Sequence, residues 1–206
     1  MVEYSIMPEG GRIKIGIDYD GVTLEEAKSW DVLRKSLKTG LSCYEQAIDG
    51  INFLKDSPDV DVLGIYTKRP LFRKKQTISE IVRLGIPVES VTHTTNSSKA
   101  KVEALLLHSI GLDRKEASAN EITDSADITQ IVLIDNSVSK IVTAAKKLAE
   151  EKPYLRPLME KFTLAAFNPK QPEALKGLII PGVIHVVCMK SWSDAPCMLD
   201  EVRNRS

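Results

Sequence analysis

The chain has 206 residues, enough for one substantial hydrophobic core, and its 28 basic and 28 acidic residues give a formal net charge of zero. This balance excludes the overall basic field that dominates nucleic-acid binding, although a local basic patch remains open. Its 3 cysteines form no CxxC pair and predict neither a disulfide framework nor a zinc site. We find no secretory signal and no run of roughly 20 apolar residues, so we predict a cytoplasmic protein without a membrane partner.

Three runs of residues predict the central strands of a sheet. Ile13, Ile15 and Ile17 alternate with polar or small residues up to Asp18, which is the period-two pattern of a strand. The runs VDVLGIYT and IVLID are short, apolar and rich in β-branched residues, as in buried strands. Weaker strand patterns occur in PVESVTHT, FTLAAF and VIHVVCM.

Helical patterns separate these strands. Ser42 and Glu45 form a capping-box pair that predicts a helix over residues 43–55, and a second helix is predicted between Pro70 and Gly85. SSKAKVEALLLHSIG predicts a third helix, capped by serine, and a fourth follows IVLID. The alternation predicts a Rossmann-like three-layer α/β/α fold with a mainly parallel central sheet. We expect a single domain over residues 1–206, with a core of about 12–150 and an extension of about 153–206.

Charged and polar residues stand where the three best strands end. They are Asp18 and Asp20, then Thr67, Lys68 and Arg69, then Asp135 and Asn136, with Lys99 and Lys101 at the start of the helix before the third strand. In a parallel sheet these groups meet at one edge. An aspartate can accept a phosphoryl group, a second carboxyl group can act as acid and base, and oxygen ligands suit Mg²⁺. This set predicts phosphoryl transfer with an aspartate nucleophile.

Four segments resemble the ordered motifs of the haloacid dehalogenase superfamily: IGIDYDGV, GIYTKRP, KAKVEAL and IVLIDNS. The resemblance covers roughly residues 12–150 and implies the fold and the chemistry of that superfamily. It implies that Asp18 is the nucleophile and a metal ligand, and that Asp20 is the general acid and base and offers its backbone carbonyl to the metal. It further implies that Thr67 binds the transferring phosphoryl group and that Asp135 holds Mg²⁺.

Other positions follow the motifs less closely. Asn136 departs from the frequent double aspartate but is similar to the variant in small phosphatases that act on the RNA polymerase tail, where the amide coordinates the metal. Lys101 resembles the motif lysine more than Lys99 does, and both stay candidates. Arg69 is placed like a substrate-phosphate arginine in the phosphatase half of polynucleotide kinases, and Gly21, which completes the first motif, is assigned with it to substrate binding.

The two gaps that hold cap domains in this superfamily are short here. Residues 22–41 leave room for a flap only, and the span from Thr67 to Lys99 holds one predicted helix and one weak strand. The resemblance is therefore to the capless group, which has no full cap domain and tends to admit large substrates. We predict a Mg²⁺-dependent phosphatase acting through an aspartyl-phosphate on a phosphoprotein or a nucleic-acid end, with nucleic acid as a substrate only.

Three alternatives stay open or are set aside by residue order. A receiver-type signalling domain uses similar groups, but there the phosphorylated aspartate follows the third strand, and the hydroxyl and the lysine come from later strands still. Here Thr67 ends the second strand and the lysine precedes the strand that bears Asp135, so the order of the residues does not fit a receiver. A non-catalytic binding or regulatory module with this fold and a phosphatase of small metabolites both remain alternatives.

The basic run KRPLFRKK predicts either a solvated helix face or a surface for a polyanionic substrate. His93, His108 and His185 have no metal-ligand spacing, and we assign no function to Trp192.

Overall fold

The described residues of the computed structural model are 12–24, 43–44, 46–94, 97–112, 127–168 and 184–205. They form one six-stranded sheet in which every neighbouring pair of strands is parallel. Its strands are β1 Arg12–Asp18, β2 Val60–Thr67, β3 Val91–His93, β4 Ile128–Asp135, β5 Phe162–Phe167 and β6 His185–Met189. The order across the sheet is β3-β2-β1-β4-β5-β6. The predicted α/β class and parallel sheet are thus confirmed.

In the described ranges, helices follow every strand except β5 and cover both faces of the sheet. They are α1 Ala47–Asp56, α2 Lys74–Leu84, α3 Ser98–Ser109, α4 Val138–Glu151, α5 Arg156–Met159 and α6 Ala195–Arg203. Short 3₁₀ turns lead into α2, α5 and α6 at Leu71–Arg73, Pro153–Leu155 and Trp192–Asp194. None of the helices in the described ranges has the length and apolar content that crossing a membrane requires.

The helix boundaries follow from local signals in the sequence. The Ser97 side chain caps α3 by accepting a hydrogen bond from the Ala100 N–H, and α2 ends at Gly85, whose φ of 66° is open to glycine without strain. The first helix begins at Ala47, and the predicted capping pair Ser42 and Glu45 lies outside the described residues. Most of the predicted flap over residues 22–41 also lies outside them.

Two apolar layers lie on opposite faces of the sheet. One is shared with α3, α4 and α5, and the other with α1, α2 and α6. Side chains of β4 alternate between the layers, so Leu133 belongs to the first and Ile134 to the second. Because both faces are covered, the strand reads as an unbroken apolar run rather than an alternating one. Each such fully buried side chain contributes roughly 1.5–3 kcal/mol.

Gly16 lets α3 approach the middle of β1 closely. A Cβ atom at this position would lie 2.7 Å from Leu105 Cδ1 and 2.9 Å from Tyr66 Cδ2, closer than carbon atoms pack. Leu105 lies one helical turn after Lys101, and Gly16 lies two residues before Asp18 on the same face of its strand. The missing side chain therefore helps to set the distance between Lys101 and Asp18.

The C-terminal part of the described chain completes the same sheet and core. β5 and β6 add two parallel strands beside β4, and α6 packs in the layer that also holds α1. Trp192 is buried, and its indole N–H donates to the Val22 carbonyl at 2.8 Å, in the segment that follows β1. Between Thr67 and Ser98 the described residues form only a 3₁₀ turn, α2 and β3, which leaves no cap domain at that insertion point.

Candidate active site

The parallel register brings the ends of β1, β2 and β4 to one edge of the sheet. Ile17 pairs with Ile134, so Asp18 and Asp135, which follow them, end neighbouring strands at the same level. Asp18 also pairs with Tyr66, so Thr67 lies one residue beyond on the other side of β1. Ligands of open α/β sheets bind at this carboxyl edge.

Lys101 joins the two aspartates in a buried group that we call the Lys101 cluster: Lys101, Asp18 and Asp135. The ammonium Nζ lies 2.5 Å from Asp18 Oδ1 and 2.8 Å from Asp135 Oδ2. No more than 4% of any of the three side chains is exposed. The Tyr19 N–H donates to Asp18 Oδ1 at 2.9 Å, and the Ser137 N–H donates to Asp135 Oδ1 at 2.6 Å.

The Lys101 cluster carries an unbalanced negative charge when both carboxyl groups are ionised. Burial raises the pKa of Asp18 to about 7, the charge of Asp135 adds to this rise, and Lys101 opposes it. Burial alone would lower the pKa of Lys101, but the charges of Asp18 and Asp135 raise it above its ordinary value. Two carboxylates against one ammonium leave one excess negative charge, which a bound cation would offset.

The two candidate lysines lie in different environments. Lys101 is fully buried between the carboxylates, whereas Lys99 is more than a third exposed and pairs with Glu151 of α4 at 2.5 Å. The structure therefore brings Lys101, and not Lys99, to Asp18. Lys99 stays on the surface because a two-residue step turns a helical side chain by about 200°.

Thr67 is fully buried at the end of β2. Its Oγ1 accepts a hydrogen bond from the Arg69 N–H at 3.1 Å, and its carbonyl accepts from the Thr94 N–H and hydroxyl at 2.9 and 3.1 Å. These contacts hold the β2 end against the segment after β3. A hydroxyl that accepts one hydrogen bond can still donate its proton to a phosphoryl oxygen.

Arg69 organises a second charged group, the Arg69 cluster, which consists of Arg69, Asp20, Glu80 and Tyr19. The guanidinium makes three hydrogen bonds to the Asp20 carboxylate, at 2.7 to 3.1 Å, and one to Glu80 Oε2 at 2.6 Å. It stacks over the Tyr19 ring, with Cζ 4.6 Å from the centroid. The exposed fractions are 10% for Arg69, 13% for Glu80 and 44% for Asp20, so this cluster faces solvent.

Neighbouring groups hold the Arg69 cluster in place. His93 Nδ1 lies 3.1 Å from the Arg69 carbonyl, and the Tyr19 hydroxyl donates to Glu80 at 3.3 Å. Burial, and then the charge of Glu80, raises the pKa of Tyr19, so its hydroxyl stays protonated. Burial alone would lower the pKa of Arg69, but its hydrogen bonds to Asp20 raise it.

The turn after β1 separates Asp20 from Asp18. The strand ends at Asp18, so the strict alternation that places both carboxylates on one side does not continue to Asp20. Gly21 has a φ of 81°, and its N–H donates to the Leu24 carbonyl at 2.8 Å, while the Thr23 hydroxyl donates to the Asp18 carbonyl at 2.9 Å. Asp18 and Asp20 consequently form ion pairs with different basic side chains, Lys101 and Arg69 respectively.

Some residues of the site were not predicted from the sequence. Glu80 contacts Arg69 from α2, and its only sequence signal is a carboxylate directly before the buried Ile81. Ser137 was missed because it contributes its backbone N–H, which carries no side-chain signature. Lys68 Nζ lies 3.5 Å from Ser137 Oγ at the same edge.

The predicted ligands of Mg²⁺ are oxygen atoms of Asp18, Asp20, Asp135 and Asn136. Within the described ranges, no group of three or more His, Cys, Asp or Glu side chains is arranged to hold a metal ion. The predicted set needs only two such side chains, Asp18 and Asp135, together with the Asp20 carbonyl and the Asn136 amide. Asn136 Oδ1 accepts from the Ser137 hydroxyl at 3.2 Å. These are hard oxygen donors beside an excess negative charge, as Mg²⁺ prefers.

A cavity of about 450 Å³ lies elsewhere on the same edge, at the ends of β5 and β6. Its lining includes Tyr44, Phe167, Asn168, Lys190 and Trp192. No lining residue belongs to the Lys101 or Arg69 cluster, so the chemistry and the cavity do not coincide. We take the charged clusters as the candidate active site because they hold the reactive groups.

Comparisons with protein-family models, curated proteins and solved structures found no match to this chain. The class that the fold supports is an α/β protein with a parallel sheet and a charged site at its carboxyl edge. Any narrower assignment depends on the chemistry of the site itself.

Proposed function

We propose that this chain is a Mg²⁺-dependent phosphatase of the haloacid dehalogenase type. The observation that carries the proposal is the Lys101 cluster, in which one buried ammonium contacts both Asp18 and Asp135 at adjoining strand ends. A carboxylate at such an edge, with a buried hydroxyl at Thr67 beside it, is suited to attack phosphorus and to hold the transferring oxygens. The parallel sheet and the order of the four motifs support the same proposal.

The first step forms a bond between an Asp18 oxygen and phosphorus while the bond to the leaving oxygen breaks. Asp20 gives its proton to that leaving oxygen. Asp20 then takes a proton from water, the water oxygen attacks phosphorus, and the phosphate is released with Asp18 restored. Lys101 favours the ionised form of Asp18 and so limits the rise in its pKa that burial and Asp135 cause. Bound Mg²⁺ would supply positive charge near the phosphoryl oxygens.

The Arg69 cluster imposes one requirement on this reaction. Asp20 must carry a proton to act as an acid, yet its carboxylate oxygens accept three hydrogen bonds from Arg69. The phosphoryl oxygens of a substrate are competing acceptors for Arg69. Glu80 holds the other side of the guanidinium, so Asp20, which is 44% exposed, can turn toward the leaving oxygen when substrate binds.

A non-catalytic binding module is the second candidate, and one observation favours it. Three hydrogen bonds from Arg69 occupy the carboxylate that hydrolysis needs. In such a module Asp20 serves only as a partner for Arg69. Substituting Asp20 by Asn distinguishes the two candidates, because it would abolish turnover in a phosphatase and leave phosphate binding by a module intact.

The deciding experiment is a phosphomonoester panel with Mg²⁺ and with EDTA. It contains p-nitrophenyl phosphate, sugar phosphates, nucleotides, phosphopeptides and oligonucleotides with terminal phosphates. We expect Asp18→Asn to reduce kcat by more than about a thousandfold, which is about 4 kcal/mol in the barrier. Asp61→Asn is the matched control. Asp61 lies near the amino end of β2, away from the carboxyl edge, and pairs with Arg12 and Lys14. If the folded protein hydrolyses none of these substrates, the phosphatase proposal is overturned in favour of the non-catalytic binding module.

A further inference from the structure

The segment after Arg69 exposes an unusual concentration of apolar side chains. Among the described residues, four of the five large hydrophobic side chains that are exposed lie between Leu71 and Val82. They are Leu71 at 60%, Phe72 at 83%, Ile78 at 41% and Val82 at 73%. Exposed apolar groups are ordinary when scattered, but a cluster of them marks an interaction surface.

Three of these side chains, Leu71, Ile78 and Val82, recur at helical spacing with Lys75 between them, and Phe72 follows Leu71 in the 3₁₀ turn. The buried side chains Thr77 and Ile81 lie on another side of the helix. We call this region the α2 surface: Leu71, Phe72, Arg73, Lys74, Lys75, Ile78 and Val82, all of which are exposed. Thr77 and Ile81 are the buried residues by which α2 enters the core, and Leu71, Phe72 and Val82 contribute little to it.

The α2 surface is positively charged. Arg73, Lys74 and Lys75 are all exposed at its start. Glu80 is the one acidic residue between Leu71 and Leu84, and it is engaged by Arg69. Basic groups around an apolar stripe complement a partner that carries acidic and apolar side chains.

The surface begins at the site and extends away from it. Leu71 lies two residues after Arg69, at the carboxyl edge where the charged clusters lie. From Leu71 to Val82 the stripe covers about 16 Å along the helix. A substrate whose phosphate lies at Asp18 could therefore place its neighbouring chain along α2.

We propose that the α2 surface docks an acidic, apolar peptide segment of a phosphoprotein substrate. This inference rests on the proposed phosphatase function and names its substrate class. The apolar side chains favour a peptide over a nucleic acid, because three of the four are aliphatic and only Phe72 offers a ring. Single-stranded nucleic acids are bound by several aromatic platforms in succession, whereas an aliphatic stripe matches the apolar face of a peptide.

The test compares kcat/KM for four substrates on the full chain. They are a peptide with phosphoserine followed by Glu-Leu repeats, the same peptide with Lys in place of Glu, a 5′-phosphorylated oligonucleotide and p-nitrophenyl phosphate. The test variant combines Phe72→Ser, Lys74→Glu and Lys75→Glu. The matched control combines Phe53→Ser, Lys146→Glu and Lys147→Glu, which alters one exposed ring on α1 and two exposed lysines on α4.

We expect the test variant to lower kcat/KM for the acidic phosphopeptide by at least about tenfold, through KM, and to leave p-nitrophenyl phosphate unchanged. The control variant should leave both substrates unchanged. An equal loss on p-nitrophenyl phosphate, a larger loss on the oligonucleotide, or a wild-type preference for the Lys peptide would each overturn the inference. So would a wild-type dimer that the test variant makes monomeric.

A binding measurement separates this inference from the function on which it rests. The fluorescence anisotropy of the labelled acidic peptide, without phosphate, reports docking when no turnover occurs. Binding that the test variant abolishes and the control variant retains supports docking even if the phosphatase panel is silent. Turnover of p-nitrophenyl phosphate with no peptide binding would leave the phosphatase standing and overturn the docking surface.

Discussion

The Lys101 and Arg69 clusters flank the end of β1 and differ chiefly in their exposure to water. The side chains of the Lys101 cluster are at most 4% exposed, whereas Asp20 in the Arg69 cluster is 44% exposed. Losing one partner of a buried charge costs much stability, because no water replaces the lost contact. Partly exposed ion pairs contribute little to stability, and their side chains can exchange partners. The comparison indicates that the Lys101 cluster is suited to fixed chemistry and the Arg69 cluster to contacts that form and break with a ligand.

The largest effect should come from removing the buried cation. Lys101→Met leaves Asp18 and Asp135 facing each other unpaired, which costs about 3–5 kcal/mol in the free energy of unfolding. Lys99→Met, which breaks only the surface pair with Glu151, should cost less than about 1 kcal/mol. Urea unfolding in EDTA measures both values. Equal losses in the two variants would contradict the assigned difference between the clusters.

A smaller effect should appear in the pH dependence of stability. The folded-state pKa of Asp18 is raised from 3.8 to about 7, so between these values the folded protein holds a proton that the unfolded chain has released. The free energy of unfolding should therefore fall as pH rises through this window, by about 1.4 kcal/mol per unit at most. Asp18→Asn should lack this fall. Unfolding curves in EDTA between pH 5 and 7 would contradict the assignment if wild type and variant ran parallel.

The packing that sets the Lys101 cluster can be tested at Gly16. Gly16→Ala places a methyl group 2.7 Å from Leu105 Cδ1, so the Leu105 side chain, or α3 with it, must shift, at a cost of about 1–3 kcal/mol. We also expect a lower kcat, because the shift moves Lys101 relative to Asp18. Adding Leu105→Val shortens the opposing side chain and should restore part of both losses. A double variant no better than Gly16→Ala would show that this contact does not position Lys101.

The smallest stability effect should come from the open cluster. Arg69→Gln should lower the free energy of unfolding by about 1–2 kcal/mol, because Asp20 is left to water and the mostly buried Glu80 keeps its hydrogen bonds from Tyr19 and Gln76. Its effect on KM for a phosphomonoester should be larger, about tenfold or more, since a bidentate partner for phosphate is lost. The control is Arg203→Gln, which removes another ion pair between arginine and aspartate. Its partner Asp59 lies at the amino end of β2, opposite the candidate site. Kinetics in which kcat alone falls would contradict a binding role for Arg69.

Prediction from the sequence succeeded where a local pattern was enough. Asp18, Thr67 and Asp135 each end a strand whose apolar pattern is visible in the chain, and each lies at the carboxyl edge as expected. The alternation of strands and helices predicted the parallel sheet. It also predicted β5 and β6, although the apolar runs there are short and the segment between them contains prolines.

The sequence favoured Lys101 over Lys99 but kept both as candidates, because α3 shows no apolar stripe that would fix its orientation. The helix is buried nearly all round, and its buried residues run without a break from Ala100 to Leu107. Such a helix gives no sign of which side faces the sheet. By contrast, α4 buries one clear stripe, and its orientation could be predicted. The choice between the lysines was made by the packing of α3 against β1, where Gly16 leaves room.

The sequence by itself determined the strands, the helices and the residues that stand at the carboxyl ends of the strands. Each of these depends on a repeat within a few neighbouring positions. The tertiary structure decided which charges meet. Lys101 and Asp135 are 34 residues apart and Arg69 and Asp20 are 49 apart, so their contacts depend on how distant elements pack. Packing also decides burial, and burial raises the pKa of Asp18 and leaves Asp20 open to water.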